Sequence, residues 1–214
     1  MDQALPLPGL HDPETPLRNL LGIVLERFVA LDLGIERIAF AHHEASTDLL
    51  ATFVATEREG SSDGQEACFE ARPLALVPSL SRLREQKQGR VLNDLNQDLE
   101  PTSPHSRWLL AQGWRASLTL PLFEHNRLLG FLFVDSSRVG AFTPEALARL
   151  DPHLDLLLLR IANHFRGIAT LHGSLRLVLD MAGLRDRETA THLDRKSTRL
   201  NSSHSSVSRM PSSA

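Results

Sequence analysis

The sequence predicts an α+β fold, an antiparallel sheet flanked by helices, with a long C-terminal helix. Three observations predict it. The apolar pattern runs helix, three strands, short helices, two strands and a long helix. Neighbouring strand patterns are joined by short polar segments, Ala45–Asp48 and His125–Asn126–Arg127. Hydrophobic residues make up 42% of the 214, enough to bury a core and too many for a disordered chain.

Residues 1–14 are Pro-rich and read as a flexible start. Thr15 and Pro16 form a cap and first-turn pair for a helix whose apolar face is Leu17, Leu20, Leu21, Val24, Leu25 and Phe28. Gly34 is the expected stop. Glu36–Glu44 and Leu49–Glu57 read as a strand hairpin, and Arg58–Gln65 as a Gly/Ser-rich loop. A third strand is expected over Ala67–Leu76 and a helix over Pro78–Gln88 with Gly89 at its end. Arg90–Leu95 reads as a short strand or turn, and Ser106–Gln112 as a short helix stopped by Gly113. Ala116–Glu124 alternates. Leu128–Asp135 is an almost unbroken apolar run, the mark of a central strand buried on both faces. Thr143 and Pro144 open a helix pattern that runs to about Met181. Within it Asp151 and Pro152 predict either a kink or a fresh helix start.

Composition excludes several function classes. There are 23 Lys and Arg against 26 Asp and Glu, a net charge of −3, so no nucleic-acid partner is expected. With nine Phe, two Trp and no Tyr, a base-stacking platform is also excluded. No run of about 18 apolar residues exists, so no membrane span is expected. Residues 1–10 lack the blocks of a signal peptide. Cys68 is the single cysteine, which rules out an internal disulfide and a Cys-rich zinc site; a cytoplasmic protein is expected. After Arg195 the character changes. Residues 196–214 hold eight Ser among nineteen residues and no acid, and read as a disordered, non-native tail that resembles translated sequencing-adapter read-through.

The stretch GWRASLTLPLFEHNRLLGFLFVDSSRVGAFTPEAL, residues 113–147, carries a family resemblance. Its pieces are a small-residue start to a strand, Pro121–Leu122, a turn, Leu129–Gly130, a buried strand ending in Asp135–Ser136–Ser137, and Phe142–Thr143–Pro144 before the last helix. Gly130 permits close backbone approach inside a sheet, and Ser136 and Ser137 satisfy the turn after the strand. Together they resemble the second half of a GAF domain, and the resemblance extends over residues 15–166. It implies a bacterial sensory and regulatory module. GAF domains bind cyclic nucleotides, tetrapyrroles or other small ligands between the sheet and its covering helices, and many only dimerise. Which cofactor or ligand, if any, is bound here is not readable from this one sequence.

Residues 175–195, LRLVLDMAGLRDRETATHLDR, resemble the opening of an HD-GYP phosphohydrolase domain through Arg185, Asp186, Glu188, Thr189 and His192. Glu188 and His192 are four apart, so on a helix they share one face. The resemblance implies that they supply metal ligands in an intact parent, where iron or manganese suits a carboxylate and an imidazole. The family's His-Asp pair, later histidines and GYP motif are missing, so the metal site at 182–195 is incomplete. Two ligands do not hold a catalytic metal, and this chain is expected to be no enzyme. The alternatives are the N-terminal fragment of a metal-dependent cyclic di-GMP phosphodiesterase and a purely structural dimerisation module.

Leu147, Leu150, Leu154, Leu157, Ile161, His164, Ile168, Leu171, Leu175 and Val178 step by three and four. That seam predicts a parallel homodimer through the C-terminal helix, with 167–181 as a signalling linker; the other reading is one amphipathic helix covering its own sheet. Gly167 and Gly173 weaken the seam by about 1 kcal/mol each. His164 is either a pH-sensitive element or a polar position that sets register. Trp108, Trp114 and Arg115 flank the loop before the late strands and are candidate pocket lining, a large ring and a cation suited to a planar or anionic ligand. The other reading keeps Trp108 in the local core and Arg115 in solvent. His42, with His43 on the opposite strand face, is a candidate ligand contact or an ordinary imidazole. Cys68 is a candidate bilin attachment point or a small buried thiol.

Overall fold

Helix α1 (Leu17–Ala30) buries Leu17, Leu20, Leu21, Val24, Leu25 and Phe28, the face its spacing predicts. In the computed structural model the stop is not Gly34. Asp32 takes a left-handed backbone at φ 51°, its N–H bonds Val29 O, and Leu33 N–H bonds Phe28 O. That pairing is a Schellman closure made by an aspartate. Nor does Thr15 cap: Pro16 holds the cap position and no side chain bonds there. The structure describes residues 15–58, 70–99 and 104–204, with side chains described for 106–181 of the last stretch.

Strands β1 (Arg37–Glu44) and β2 (Leu49–Glu57) form the expected hairpin. β3 is only Arg72–Pro73, followed by a 3-10 turn at Leu74–Leu76. The third strand thus ends sooner than the sequence predicts, because Asp48 Oδ2 takes Ala75 N–H and Val77 N–H bonds Leu74 O, which turns the chain toward α2 (Pro78–Gln86); residues 67–69 of the expected strand lie outside the described residues. β4 (Arg90–Leu92), α3 (Leu95–Asp98) and α4 (Pro104–Ala111) follow. The single turn α3 has no apolar period to reveal it; Asp94 caps it by accepting from Asn96 N–H at 3.1 Å. β5 (Ala116–Glu124) and β6 (Arg127–Ser136) are joined through His125 and Asn126, both at positive φ, as a tight hairpin turn requires.

The six strands form one sheet in the order β3-β2-β1-β6-β5-β4, and every pair is antiparallel. β6 lies at the centre beside β1, as its unbroken apolar run predicts. Side chains alternate between two faces. Ala41, Phe131 and Phe133 pack under the 3-10 turn and α2 with Leu74, Val77, Leu80 and Leu83. The alternate residues Ile38, Phe40, Leu132 and Val134 are also fully buried and face the other way. That side belongs to α1 and to α5 (Pro144–His204), whose His153 ring meets Phe28 edge-on at 5.6 Å. Thr143 caps α5, accepting from Ala146 N–H. Pro152 lies inside α5 and starts no new helix.

The chain divides into two units, Met1–Asn163 and His164–Ala214. In the first, α5 buries Leu150, Leu154, Leu157 and Ile161. In the second, Leu171, Leu175 and Val178 are 67%, 56% and 60% exposed. The expected segment 1–14 lies outside the described residues, as do residues 205–214 of the expected tail 196–214 and the side chains of 182–204; the backbone of 182–204 continues α5 past the end near Met181 that the sequence predicts. No described helix is long and apolar enough to cross a membrane.

At Gly130, β6 leaves no room for a side chain against β1. A Cβ there would stand 2.0 Å from Ala41 O and 2.7 Å from Phe40 Cζ. Gly130→Ala is expected to lower stability by about 3 kcal/mol. Gly22→Ala in α1, with nothing within 4 Å of its added methyl, is expected to raise it by about 1 kcal/mol. Urea unfolding of both variants checks the pair.

Candidate functional site

The sheet face beneath α2 ends in a polar row. Glu57, Arg37, Asp135 and Ser117 stand opposite one another on β2, β1, β6 and β5. Arg37 Nη1 donates to Asp135 Oδ2 at 2.5 Å, and its Nε lies 3.3 Å from Glu57 Oε1. Ser117 Oγ donates to the other carboxylate oxygen of Asp135 at 2.6 Å. Asp135 is fully buried, and burial pushes its carboxyl above the usual aspartate range. The neighbouring guanidinium and the Ser117 hydroxyl pull the other way. Buried charge is tolerated only where it is paired and hydrogen-bonded.

Trp108 of α4 covers this row, its ring 5.6 Å from the Arg37 guanidinium carbon. The indole packs on two apolar clusters. One holds Phe131 and Phe133 on the sheet, and the other holds Leu95, Leu99, Leu109 and Trp114. Beside the polar row the sheet offers small residues, Ala55 and Ala39, next to Phe133 and Thr119. Glu57 also lines a groove of about 660 Å³ between α1 and the end of β2, with Gly22, Glu26, Thr56 and Arg58.

The residues singled out from the sequence separate in space. Trp108 reaches the polar row. Trp114 is buried in the small cluster beside it. Arg115 is exposed, and its guanidinium lies beside the Asn96 side-chain amide. His42 points to the face opposite the row, where its Nδ1–H donates to Leu129 O at 2.9 Å. Burial holds its basicity below the usual histidine range. His43, on the α2 side, bonds Asp48 Oδ1 through Nε2 at 3.1 Å. Asp48 also accepts from Ala75 N–H, and the His43 bond holds its carboxyl below the usual range. Among the described residues no cluster of three His, Cys, Asp or Glu is placed to hold a metal. Cys68 and the side chains of Glu188 and His192 lie outside the described residues.

Sequence reasoning missed Arg37, Glu57 and Ser117 and treated Asp135 only as a strand end. A signal was present. A strand buried on both faces that carries an aspartate needs a cation on a neighbouring strand.

The sequence profile of the GAF domain matches residues 14–154. The chain belongs to the GAF domain family. Solved GAF domains share its fold. One is the GAF domain of a two-component sensor histidine kinase from Bacillus halodurans, at 18% identity, TM-score 0.55, covering 71% of this chain and 98% of that one. A GAF domain/HD domain protein from Geobacter sulfurreducens matches at 17% identity and TM-score 0.52, over 74% of this chain and 97% of that one. The phycocyanobilin-bound GAF domain of a cyanobacterial phytochrome matches at 18% identity and TM-score 0.52, over 69% and 85%. At these identities the likeness is one of fold. No curated protein matches by sequence.

The buried carboxyl of this GAF domain sets a pH dependence with a definite sign. A raised value in the folded state means that folding favours the protonated form. That contribution is complete below the unfolded value, about 3.9, and is lost as pH rises through the raised folded value. Asp135→Asn removes the titration. The stability of wild type relative to Asp135→Asn is expected to fall as pH rises, measured by urea unfolding between about pH 4 and about pH 8.

Proposed function

We propose that this GAF domain is the sensory, regulatory part of a cytoplasmic signal-transduction protein. It binds a small ligand on the sheet face beneath α2 and α4, with Trp108 and Arg37 at the polar end. Trp114 supports that wall, and Arg115 and His42 stand outside it. The state of the site passes along α5 to an output domain of HD-GYP type, and two copies pair through α5.

The single observation that carries the reading is the change of cover along α5. Leu150, Leu154, Leu157 and Ile161 are buried, whereas Leu171, Leu175 and Val178 continue the same three-four spacing with most of their surface exposed. An apolar stripe at heptad spacing fits a second copy of the same helix. The HD-GYP assignment rests on Arg185, Asp186, Glu188, Thr189 and His192 and on the GAF/HD pairing in the Geobacter protein's description. In a complete parent, Glu188 and His192 would give two ligands to an iron or manganese centre that hydrolyses cyclic di-GMP.

Leu171→Glu with Leu175→Glu tests the pairing. Both side chains are exposed in one copy, so the fold of Met1–Asn163 should keep its thermal midpoint. Sedimentation velocity is expected to find the wild-type chain dimeric and the double variant monomeric. A monomeric wild type, or a double variant that still pairs, overturns the seam.

A further inference from the structure

Asn93 stands between β4 and α3, and it holds the loop before α5 with three hydrogen bonds. Its Oδ1 accepts from Phe142 N–H at 3.0 Å and its Nδ2 donates to Phe142 O at 3.2 Å. Its own carbonyl accepts from Gly140 N–H at 2.8 Å. The side-chain amide thus pairs with a backbone unit in both directions, as a neighbouring strand would. A primary amide supplies both the donor and the acceptor for this from one short side chain. Phe142, the residue so held, is buried and lies two positions before Pro144, the first residue of α5.

The other side of Asn93 leads to the ligand face. Leu95, two residues on, packs in one cluster with Leu99, Leu109 and Trp114. Trp108 packs against that cluster and against the sheet cluster of Phe131 and Phe133, and its ring lies over Arg37. Leu95 N–H also bonds Arg115 O, and Arg115 N–H bonds Ser136 O, both at 2.8 Å. The segment 93–95 is therefore tied to the ligand face by packing and to the β6–α5 connection by hydrogen bonds.

We propose that Asn93 is a positioning residue that couples Trp108, on the ligand face, to the first turn of α5. The proposal rests on the sensory reading above and names the joint through which the site biases the output helix. Spatial adjacency alone does not make such a joint, so coupling itself must be measured.

The test is a double-mutant cycle read by amide hydrogen exchange on the full chain. The reporting amides are Ala146 and Leu147, which bond Thr143 Oγ1 and Thr143 O in the first turn of α5. Leu132, in the central strand β6, is the reference for global opening, so a merely structural loss of stability cancels. With Asn93 present, Trp108→Phe is expected to change exchange at Ala146 and Leu147, relative to Leu132, by about fivefold or more. With Asn93→Ser the same substitution is expected to change it less than about twofold. Equal changes in the two backgrounds, or no change in either, overturn the proposal.

Asn93→Asp serves the same cycle if the serine variant does not fold, since it keeps the acceptor for Phe142 N–H and loses the donor to Phe142 O. The response to Trp108→Phe should then fall by more than about twofold, and an undiminished response overturns the proposal. The measurement lies within Met1–Asn163 and needs neither a ligand nor a second copy. A failed dimer test therefore leaves it standing, and its own failure leaves the dimer test untouched.

Discussion

A carboxyl cut off from water holds its charge only where a cation and hydrogen-bond donors stand beside it, and at Asp135 the cation is Arg37. The two residues face each other across β1 and β6, the central strands of the sheet. Slipping the register by one position would turn both side chains to opposite faces and leave a buried charge alone, at a cost of several kcal/mol. The ion pair thus specifies the central register. With the register set, Gly130 falls against Ala41 O, and Glu57 and Ser117 fall at the two ends of the polar row. The backbone contact and the buried pair report the same alignment from opposite ends of β6.

The two faces of the sheet then take different roles. The face under α1 and α5 is apolar throughout its centre, with Ile38, Phe40, Leu132 and Val134 shielded from water. It holds the molecule together by burial. The other face grades from Phe131 and Phe133 to the Arg37 row, and its cover is made of short helices and turns rather than one long element. Short elements are held by few contacts each and open more readily than a long packed helix. One side is thus covered by long packed helices and the other by short elements. Asp48 shows how the second side is pinned: one turn residue bonds His43, Ala75 and, through its carbonyl, Leu74.

The helical periods, the β1–β2 and β5–β6 hairpins and the Thr143 cap were legible because each depends on residues a few positions apart. The centrality of β6 was legible from its unbroken apolar run. Other features resisted. Asp32 ends α1 in place of Gly34, because a Schellman closure depends on where Leu33 packs rather than on glycine alone. The third strand gives way to a turn because the side chain of Asp48, far off in sequence, captures Ala75 N–H.

The sequence by itself determined most of the elements, the family and the three-four apolar spacing along α5, since period, cap and motif are local properties. Only the tertiary structure decided which charged groups share the Arg37 row and that Trp108 covers it. It alone set Asn93 against Phe142, 49 residues away. Those pairings arise from strand order and register, and strand order is a property of the assembled sheet that no short stretch of chain contains.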